Sequence, residues 1–500
     1  MRVAFIAAEC EPWAKTGGLA DVVDALARSL HQAGASELDG PVDVFLPRYR
    51  SVKVPAGGSV ARVTVPETRV ATERAVGAGT ASLSVDVISV DTHGYRLHLI
   101  DHPPAFDRDG LYGDASGDYP DNAWRFGLMC RAALEWLRAQ ATPPDVIHIH
   151  DWHAAPAVLL RDGLLASEPA ISRAAFVLSV HNLAYHGWTP ASDVPLLGLG
   201  PGALPDGADG LDLLRAGIQG VEIVNTVSPG FAREALTPEQ GMGLDADLRA
   251  KSDRFVGILN GLDTDLWDPA TDDVIAARYS RENRGGKAAC RADLLDSLGM
   301  DASNDGPVLG MVGRLDRQKG FDILAGAAPT LLDLGARLIV QGAGSHEELE
   351  PLRRVAASSD GNNRVVIVEK FDRELARRIY AGVDGFLMPS RFEPCGTGQM
   401  ISLRYGTAPI VRATGGLRDT VVDVTGNPRT GTGFTFDGES PSDLVDACRR
   451  FIDLRARGGA AWESLLDRGM SVDFDWRRSS APAYLDLYRR AIELRRRRDG

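Results

Sequence analysis

The sequence predicts an α/β protein of two doubly wound domains, each with a parallel sheet covered by helices on both faces. Short apolar segments alternate with amphipathic helical segments along most of the 500 residues. The series of strands restarts after Asn260-Gly-Leu-Asp263, and a chain of this length is expected to form more than one domain. Polar residues directly follow several strands, which is where ligands bind in open α/β sheets.

Twelve short apolar segments are predicted as strands. They are Val3–Ala7, Val42–Leu46, Leu97–Asp101, Val146–His150, Phe176–Val180, Ile223–Val227, Val256–Leu259, Val308–Val312, Arg337–Val340, Val365–Val368, Phe386–Met388 and Pro409–Val411. Continuous apolar runs of this kind favour parallel sheets that are covered on both faces. Residues 55–79 and 201–210 are rich in Gly, Ala and Pro and are predicted as surface loops.

The helical segments define the predicted domain limits. The first helix has one apolar stripe, formed by Leu19, Val22, Val23, Leu26 and Leu30. The first predicted domain is 1–262 and the second is 263–475. A C-terminal helix, about 476–498, has an apolar face formed by Tyr484, Leu487, Tyr488 and Ile492. That face needs a surface to cover, and the helix is predicted to complete the first domain.

Composition and charge exclude several classes of protein. A net charge of −13 disfavours a nucleic-acid binder, because phosphate backbones require a basic surface. Five scattered cysteines without a CxxC pair suit a reducing compartment and provide no cysteine-based metal site. Glu9 and Glu11 interrupt the apolar N-terminal run, so it is predicted as a buried strand rather than a signal peptide. We therefore expect a cytoplasmic protein without a membrane span.

A carboxylate and a glycine-rich turn follow one strand of the second domain. Glu393 lies in Pro389-Ser-Arg-Phe-Glu-Pro-Cys-Gly-Thr-Gly-Gln-Met400, and Arg314 and Lys319 follow the first strand of the same domain. One acid beside two cations and backbone amides suits a sugar joined to a diphosphate. The alternative for the cations is a surface ion pair with Asp316 or Asp322. The chain lacks both the P-loop spacing and the dinucleotide fingerprint.

Two similar glycine motifs open helices in the two halves of the chain. They are Thr16-Gly-Gly-Leu19, preceded by Lys15, and Thr414-Gly-Gly-Leu417. Glycines at a helix N-terminus expose amides that favour an anion. The alternative is that each Gly-Gly pair only permits a tight turn. Two copies in matching positions favour contact with phosphate.

Three histidines and an aspartate in His148-Ile-His-Asp-Trp-His153 suggest a metal site. Their spacing differs from the His-x-His-x-Asp-His pattern of metallo-hydrolases, which argues against metal binding. Asp151 and His153 lie at the end of a strand, where they are expected to bond sugar hydroxyls. His181 and Asn182 end the next strand and are predicted as further site residues.

Seven segments together resemble the bacterial glycogen synthases and plant starch synthases of glycosyltransferase family 5. They are Lys15-Thr-Gly-Gly-Leu19, His150-Asp-Trp-His153, His181-Asn-Leu-Ala-Tyr185, Val227-Ser-Pro229, Asn260-Gly-Leu-Asp263, Arg314 with Lys319, and Ser390-Arg-Phe-Glu-Pro-Cys-Gly396. The resemblance runs in order over nearly the whole chain. It implies the GT-B fold, in which two Rossmann-like domains flank a cleft and a C-terminal helix crosses back. It also implies that no metal or cofactor is needed.

The implied reaction transfers glucose from ADP-glucose to the non-reducing end of an α-1,4-glucan with retention of configuration. Arg314 and Lys319 would neutralise the departing diphosphate, and Glu393 would hold the glucose and stabilise an oxocarbenium-like state. His181 would touch the sugar near the reacting carbon. The positions that the resemblance assigns to the donor are Lys15, Gly18, Phe371 (against the adenine), Cys395, Gly396 and Thr397. Those that it assigns to the acceptor and the cleft are Asp21, Asp151, His153 and Asn182.

Three features depart from the family pattern. Gly398 stands where the family usually has Thr, Asp24 stands where Gly is common, and the segment between Tyr185 and Leu213 lacks an aromatic-rich loop. Two alternatives therefore stay open: a GT-B glucosyltransferase that uses UDP-glucose or a small acceptor, and a catalytically weak glucan-binding homologue. A phosphorylase is disfavoured, because no lysine stands in a context typical of pyridoxal phosphate. The sequence does not determine the oligomeric state.

Overall fold

The computed structural model divides the chain into two units. The first comprises Met1–Val227, Ala232–Asn260 and the segment from Trp476 onward, and the second comprises Ser228–Phe231 and Gly261–Asp475. The structure describes all residues except 35, 69–81, 200–201, 205, 302–304, 359–362 and 500, together with the side chain of residue 499. In these described ranges, no helix is long and apolar enough to cross a membrane.

A large, mostly parallel sheet forms the centre of the first unit. The strands in the first 260 residues are β1 (Val3–Ile6), β2 (Val42–Pro47), β3 (Ser59–Pro66), β4 (Ser82–Asp91), β5 (Tyr95–Asp101), β6 (Gly113–Asp114), β7 (Gly117–Asp118), β8 (Val146–His150), β9 (Ala175–Val180), β10 (Trp188–Pro190), β11 (Gly210–Asp212), β12 (Ile223–Thr226) and β13 (Phe255–Gly257). The sheet order is β13-β12-β9-β8-β1-β2-β5-β4-β3, and β6–β7 and β10–β11 form separate two-stranded sheets. Within the described nine-stranded sheet, β4 runs antiparallel to its neighbours β3 and β5.

The order of the strands creates a crevice beside β1. Strand β1 pairs with β2 on one side and with β8 on the other. The chain leaves β1 toward β2 and leaves β8 toward β9 in the opposite direction. The loops that follow β1 and β8 therefore diverge at a topological switch point, where α/β sheets bind ligands.

Helices cover this sheet on both faces, as continuous buried strands require. Those in the first 260 residues are α1 (Gly18–Ala33), α2 (Pro103–Phe106), α3 (Asn122–Arg138), α4 (Asp151–Ala154), α5 (Pro156–Asp162), α6 (Pro169–Ser172), α7 (Leu213–Gly220), α8 (Pro229–Ala235) and α9 (Asp245–Lys251). The five residues of the predicted apolar stripe on α1 are all buried.

The second unit contains a six-stranded parallel sheet. Its strands are β14 (Val308–Leu315), β15 (Arg337–Gly344), β16 (Val365–Val368), β17 (Gly385–Met388), β18 (Ala408–Arg412) and β19 (Phe434–Phe436). Their order, β16-β15-β14-β17-β18-β19, is the 3-2-1-4-5-6 order of Rossmann folds. The switch point lies between β14 and β17, so the loops that follow these two strands form the expected ligand site.

Helices also cover both faces of the second sheet. They are α10 (Gly286–Ser297), α11 (Phe321–Asp333), α12 (Glu350–Ala356), α13 (Arg373–Gly382), α14 (Gly398–Arg404), α15 (Gly415–Thr420), α16 (Pro441–Arg457) and α17 (Gly459–Ser471). The core on one face includes Phe321 and Leu324 of α11 with Leu444 and Phe451 of α16, all fully buried. This packing holds the strand ends, and hence the loops that follow them, in fixed positions.

The C-terminal helix α18 (Ser480–Asp499) belongs to the first unit. Asn225 donates a hydrogen bond of 3.0 Å to the hydroxyl of Tyr484, and the hydroxyl of Tyr488 lies 2.8 Å from Nδ1 of His148. Both tyrosines are fully buried. The predicted apolar face of this helix therefore packs on the sheet of the first unit, and its two tyrosines pair with polar groups of β12 and β8.

All twelve predicted strands are present, but seven strands of the described residues were not predicted, namely β3, β4, β6, β7, β10, β11 and β19. Each of the twelve predicted strands overlaps a strand of the structure. The prediction of a loop over residues 55–79 is wrong for Ser59–Pro66, which pairs with β4 as an antiparallel edge strand. Residues 69–79 of that predicted loop lie outside the described residues.

Candidate active site

Glu393 lies in the loop after β17, at the switch point of the second unit, and is only 5% exposed. Its Oε2 accepts hydrogen bonds from Nζ of Lys319 at 2.6 Å and from Oγ of Ser390 at 3.0 Å. Lys319 ends a 3-10 turn, and the carboxylate of Asp316 caps this turn by accepting from the Lys319 amide at 3.2 Å. The acid and the cation, predicted from separate loops, thus form a partly buried ion pair.

Arg314 stands at the exposed edge of the same site. Its guanidinium lies 3.4 Å from the carboxylate of Asp316, and its side chain is 57% exposed. Arg391, rather than Arg314, pairs with Asp322. Exposed ion pairs of this geometry contribute about 0–1 kcal/mol, so an incoming anion can readily replace Asp316 as the partner of Arg314.

The turn after Glu393 needs a glycine at residue 396. Gly396 has a φ of +73°, and a Cβ there would lie 2.6 Å from Oε1 of Gln399. The amide group of Gln399 donates to the carbonyls of Cys395 and Gly396 at 3.1 Å each. Thr397 is the N-cap residue of α14. The side chain of Gln399 therefore stabilises the turn, and the first turn of α14 begins directly after Thr397.

Gly415 and Gly416, the Gly-Gly pair of the second unit, pack closely against the backbone of the Glu393 loop. The amide of Gly416 donates to the carbonyl of Glu393 at 3.0 Å. Gly415 has a φ of +46°, and any Cβ on it would overlap the carbonyl of Glu393. The tight-turn alternative therefore describes this copy better than phosphate contact, because its backbone supports the Glu393 loop directly.

Phe371 is one of the most exposed aromatic side chains, at 63%. It precedes Asp372, whose carboxylate caps α13 by accepting from the amides of Glu374 and Leu375 at 3.0 and 3.1 Å. The cap fixes the backbone beside Phe371 while its ring stays open to solvent. An aromatic ring held in this way is suited to stack on a planar base.

In the first unit, Glu9 organises the loop that contains Lys15. Glu9 is 3% exposed. Its Oε2 accepts from the amides of Thr16 and Gly17 at 2.6 and 3.1 Å, and its Oε1 accepts from the hydroxyls of Thr16 and Tyr112, both at 2.6 Å. The first amides of this glycine motif are thus already bonded to a carboxylate of the protein.

Lys15 and Gly18 lie on the outer side of the same loop. Nζ of Lys15 contacts Asp21 at 2.5 Å and Glu11 at 3.5 Å. Gly18 begins α1, so its amide is one of the first-turn donors that have no partner within the helix. A cation and a helix N-terminus are therefore side by side at the switch point of the first unit.

Asp151 fixes the backbone of the next strand end. Its Oδ1 accepts a hydrogen bond of 2.7 Å from the amide of His181. Its own φ of +56° is unusual for a residue other than glycine, and such strain is concentrated at functional sites. Burial raises the pKa of Asp151 to about 7, against the hydrogen bond from His181, and Glu9 adds to the increase.

The histidines of this region are neutral and bonded to one another or to hydroxyls. Nδ1 of His150 lies 3.1 Å from Nε2 of His181. Burial lowers the pKa of His181 to about 3. His148 bonds the hydroxyl of Ser179 at 2.6 Å as well as Tyr488. Within the described part of the chain, no three His, Cys, Asp or Glu residues are arranged to hold a metal ion.

His153 and Asn182 have local partners. The ring of His153 stacks on Tyr112 at 4.6 Å and on Trp152 at 4.0 Å, and burial lowers its pKa to about 3. The Oδ1 of Asn182 accepts from the amide of Ala184 at 2.9 Å. The structure thus places His153 within packed rings and Asn182 in a turn, both near the strand ends where they were predicted.

The sequence analysis missed several residues of these clusters. Glu9 was considered only as an interruption of an apolar run, although a carboxylate directly after the first strand is itself a signal of a site. Tyr112 gave no signal, because it lies in a bend before β6 and its partner Glu9 is distant in sequence. Trp188, which is 57% exposed in β10, was also not considered.

Two departures from the family pattern have structural partners. Asp24 forms an ion pair of 2.6 Å with Arg28, one turn later on α1. A Cβ at Gly398 would lie 2.9 Å from Cε1 of Phe386 and 3.2 Å from the hydroxyl of Tyr380. The rings of Phe386 and Tyr380 thus occupy the space that a side chain at residue 398 would need.

Comparisons with known proteins give a consistent assignment. The model of the starch synthase catalytic domain matches residues 2–250, and that of glycosyl transferases group 1 matches residues 306–453. A glycogen synthase of Anaeromyxobacter dehalogenans is 41% identical over 98% of this chain and 99% of its own length. Glycogen synthase 2 of Geobacter sulfurreducens is 39% identical over 99% and 100%.

Solved structures agree with these relatives. The catalytic domain of starch synthase IV from Arabidopsis thaliana, bound to ADP and acarbose, matches with a TM-score of 0.84 and 32% identity, covering 98% of this chain and 99% of that one. A sucrose-phosphate synthase from Thermosynechococcus elongatus shares the fold at a TM-score of 0.60 and 18% identity, covering 98% and 99%. The chain therefore belongs to the glycogen synthase and starch synthase family of glycosyltransferases, which have the GT-B fold.

Proposed function

We propose that this protein transfers glucose from ADP-glucose to the non-reducing end of an α-1,4-glucan, with retention of configuration. The partly buried pair of Glu393 and Lys319, 2.6 Å apart at the switch point of the second unit, is the observation that carries this proposal. Such a pair offers a carboxylate to the sugar and an ammonium to the phosphate. The presence of ADP in the similar starch synthase IV structure supports an adenine nucleotide.

The second unit binds the donor in this proposal. Lys319 and Arg314 neutralise the departing diphosphate, and the amides of Gly396 and Thr397 donate to its oxygens. Because these groups are held in place before the substrate arrives, they stabilise the developing charge without reorganising. In other enzymes each such donor contributes about 10²–10³ in rate. Phe371 stacks on the adenine, and Cys395 shapes the turn.

Glu393 acts on the sugar. Its Oε2 is oriented by Lys319 and Ser390, which leaves Oε1 to accept from hydroxyls of the transferred glucose. When the bond between the anomeric carbon and the diphosphate breaks, positive charge develops on the sugar ring. A carboxylate fixed nearby stabilises that charge.

The first unit binds the acceptor in this proposal and also supplies donor contacts. His181 lies near the reacting carbon, with its backbone carbonyl and its neutral ring as polar contacts. Asp151 orients His181 through the 2.7 Å bond to its amide. The remaining assignments are Lys15 and Gly18 to the donor, and Asp21, His153 and Asn182 to the acceptor.

A comparison of donors tests this function. The protein is incubated with ADP-glucose or UDP-glucose, and with glycogen or maltooligosaccharides as acceptors. We expect turnover with ADP-glucose and a glucan. We also expect Glu393→Ala to abolish transfer while the protein stays folded, whereas Asp437→Ala, an exposed carboxylate of the same unit, retains activity.

Each outcome has a definite meaning. Faster transfer from UDP-glucose would overturn the donor assignment. No turnover with any pair would favour a glucan-binding protein. Near-normal turnover of Glu393→Ala would overturn the role of Glu393 alone.

A further inference from the structure

We propose that Glu9 is a positioning residue that holds the Lys15 loop in the geometry that binds the donor diphosphate. This inference rests on the proposed function, because it takes Lys15 and Gly18 as donor contacts. Glu9 itself lies beneath the loop and touches no substrate. It acts through the backbone and hydroxyl groups that it bonds.

The observed hydrogen bonds of Glu9 are those of a carboxylate that accepts on both oxygens. Four donors converge on its two oxygens, namely two amides on Oε2 and two hydroxyls on Oε1. An ionised carboxylate only accepts hydrogen bonds, whereas a carboxamide presents an NH₂ group on one side. A glutamine at residue 9 can keep the two amide bonds only with its oxygen toward them, and its NH₂ group then meets the hydroxyls of Thr16 and Tyr112, which must change from donating to accepting.

The position of Glu9 explains why the loop presents Lys15 and Gly18 to the substrate. Glu9 is 3% exposed and takes the amides of Thr16 and Gly17. It therefore fills the inner anion position at the N-terminus of α1, where the helix dipole favours negative charge. The donor phosphate is left with the outer groups of the loop, which are Gly18 and the side chain of Lys15.

Glu9 also connects the two loops of the switch point. Tyr112 donates to Oε1 of Glu9 at 2.6 Å, and the same ring stacks on His153 at 4.6 Å. His153 follows β8, whereas Glu9 follows β1. A displacement of Glu9 is thus transmitted to both sides of the crevice in the first unit.

The test compares variants that remove these bonds in steps. Glu9→Gln keeps the shape but loses acceptors, and Tyr112→Phe and Thr16→Val each remove one hydroxyl bond. We expect Glu9→Gln to raise the KM for ADP-glucose and the Kd for ADP at least tenfold. Tyr112→Phe and Thr16→Val should raise both about threefold, and all three variants should keep the KM for glycogen within twofold. Glu168→Gln, which changes a partly exposed carboxylate of the same unit, is the matched control.

The readouts separate this inference from the proposed function. If the wild type transfers glucose and Glu9→Gln keeps wild-type values for ADP-glucose and ADP, the inference about Glu9 is overturned alone. If the wild type binds ADP without transferring glucose, the proposed function fails and ADP affinity still decides the role of Glu9. A wild type that does neither overturns both. Should Glu9→Gln fail to fold, unchanged ADP affinity in the two hydroxyl variants refutes the inference.

Discussion

Restoring the family's threonine at residue 398 should damage this protein rather than improve it. The backbone φ of Gly398 lies outside the left-handed region, so the chain itself accepts a side chain there. The obstacle is steric. A Cβ would lie 2.9 Å from Cε1 of Phe386 and 3.2 Å from the hydroxyl of Tyr380, and both rings are buried. Real Cβ atoms essentially never approach an aromatic carbon that closely, so a ring or the helix must move.

The expected magnitude follows from overpacking a buried site. Such changes typically lower the free energy of unfolding by about 1–3 kcal/mol. In domains of this size each kcal/mol lowers Tm by about 2–4 °C. Gly398→Thr should therefore lower Tm by roughly 2–12 °C, and Gly398→Ala, which adds only the Cβ, should fall between it and the wild type. Because Gly398 begins α14, the shift should also misplace the amide of Thr397 and lower kcat.

The assay is thermal unfolding together with ADP-glucose turnover for a double-mutant cycle. Phe386→Leu removes the ring edge that the new side chain meets, so it should be less harmful in the Gly398→Thr background than in the wild type. A coupling of about 1–2 kcal/mol is expected for residues in direct contact. A Gly398→Thr protein that is as stable as the wild type and more active would refute this reasoning. The glycine at residue 398 would then only remove a hydroxyl that could bond phosphate, without a steric reason.

Three further predictions concern pH, packing and metal. Burial raises the pKa of Asp151 from 3.8 to about 7, so the folded protein must hold a buried charge at this residue once the pH rises above about 7. The contribution of Asp151 to stability therefore falls between about pH 4 and pH 7. Asp151→Asn should stabilise the protein more at pH 8 than at pH 5, as measured by urea unfolding. Tyr488→Phe leaves Nδ1 of His148 without its partner and should lower the free energy of unfolding by about 1–3 kcal/mol, whereas the exposed Tyr185→Phe should not change it. Glucosyl transfer should continue in the presence of a chelator, and complete loss that zinc restores would assign a metal to the histidine cluster.

The fold was largely predictable because its strands are buried. Strands such as β1 and β14 are continuous apolar runs, and their spacing identifies parallel sheets. The edge pair β3 and β4 was missed because one face of β3 meets solvent. Four of its first residues, Ser59–Arg62, are exposed, so it lacks the apolar run that identifies the central strands.

The clustering of the candidate residues was predictable where polar residues end strands and unpredictable where side chains pair over a long sequence distance. The contact between Glu393 and Lys319 was expected because each follows a strand, and neighbouring strands bring their loops together. The contact between Glu9 and Tyr112 spans 103 residues, and no local pattern indicates it. The steric role of Gly398 was equally hidden, because it depends on how closely the ring of Phe386 approaches.

The placement of α18 affects how the chain folds during synthesis. The ribosome completes the first 260 residues, then makes the whole second unit, and only afterwards releases the helix that covers His148 and Asn225. At about 5–20 residues per second, this delay is on the order of ten to forty seconds. Throughout it, the sheet of the first unit displays an apolar face with unpaired polar groups. The nascent chain is therefore most open to chaperone capture and aggregation while its second unit is emerging.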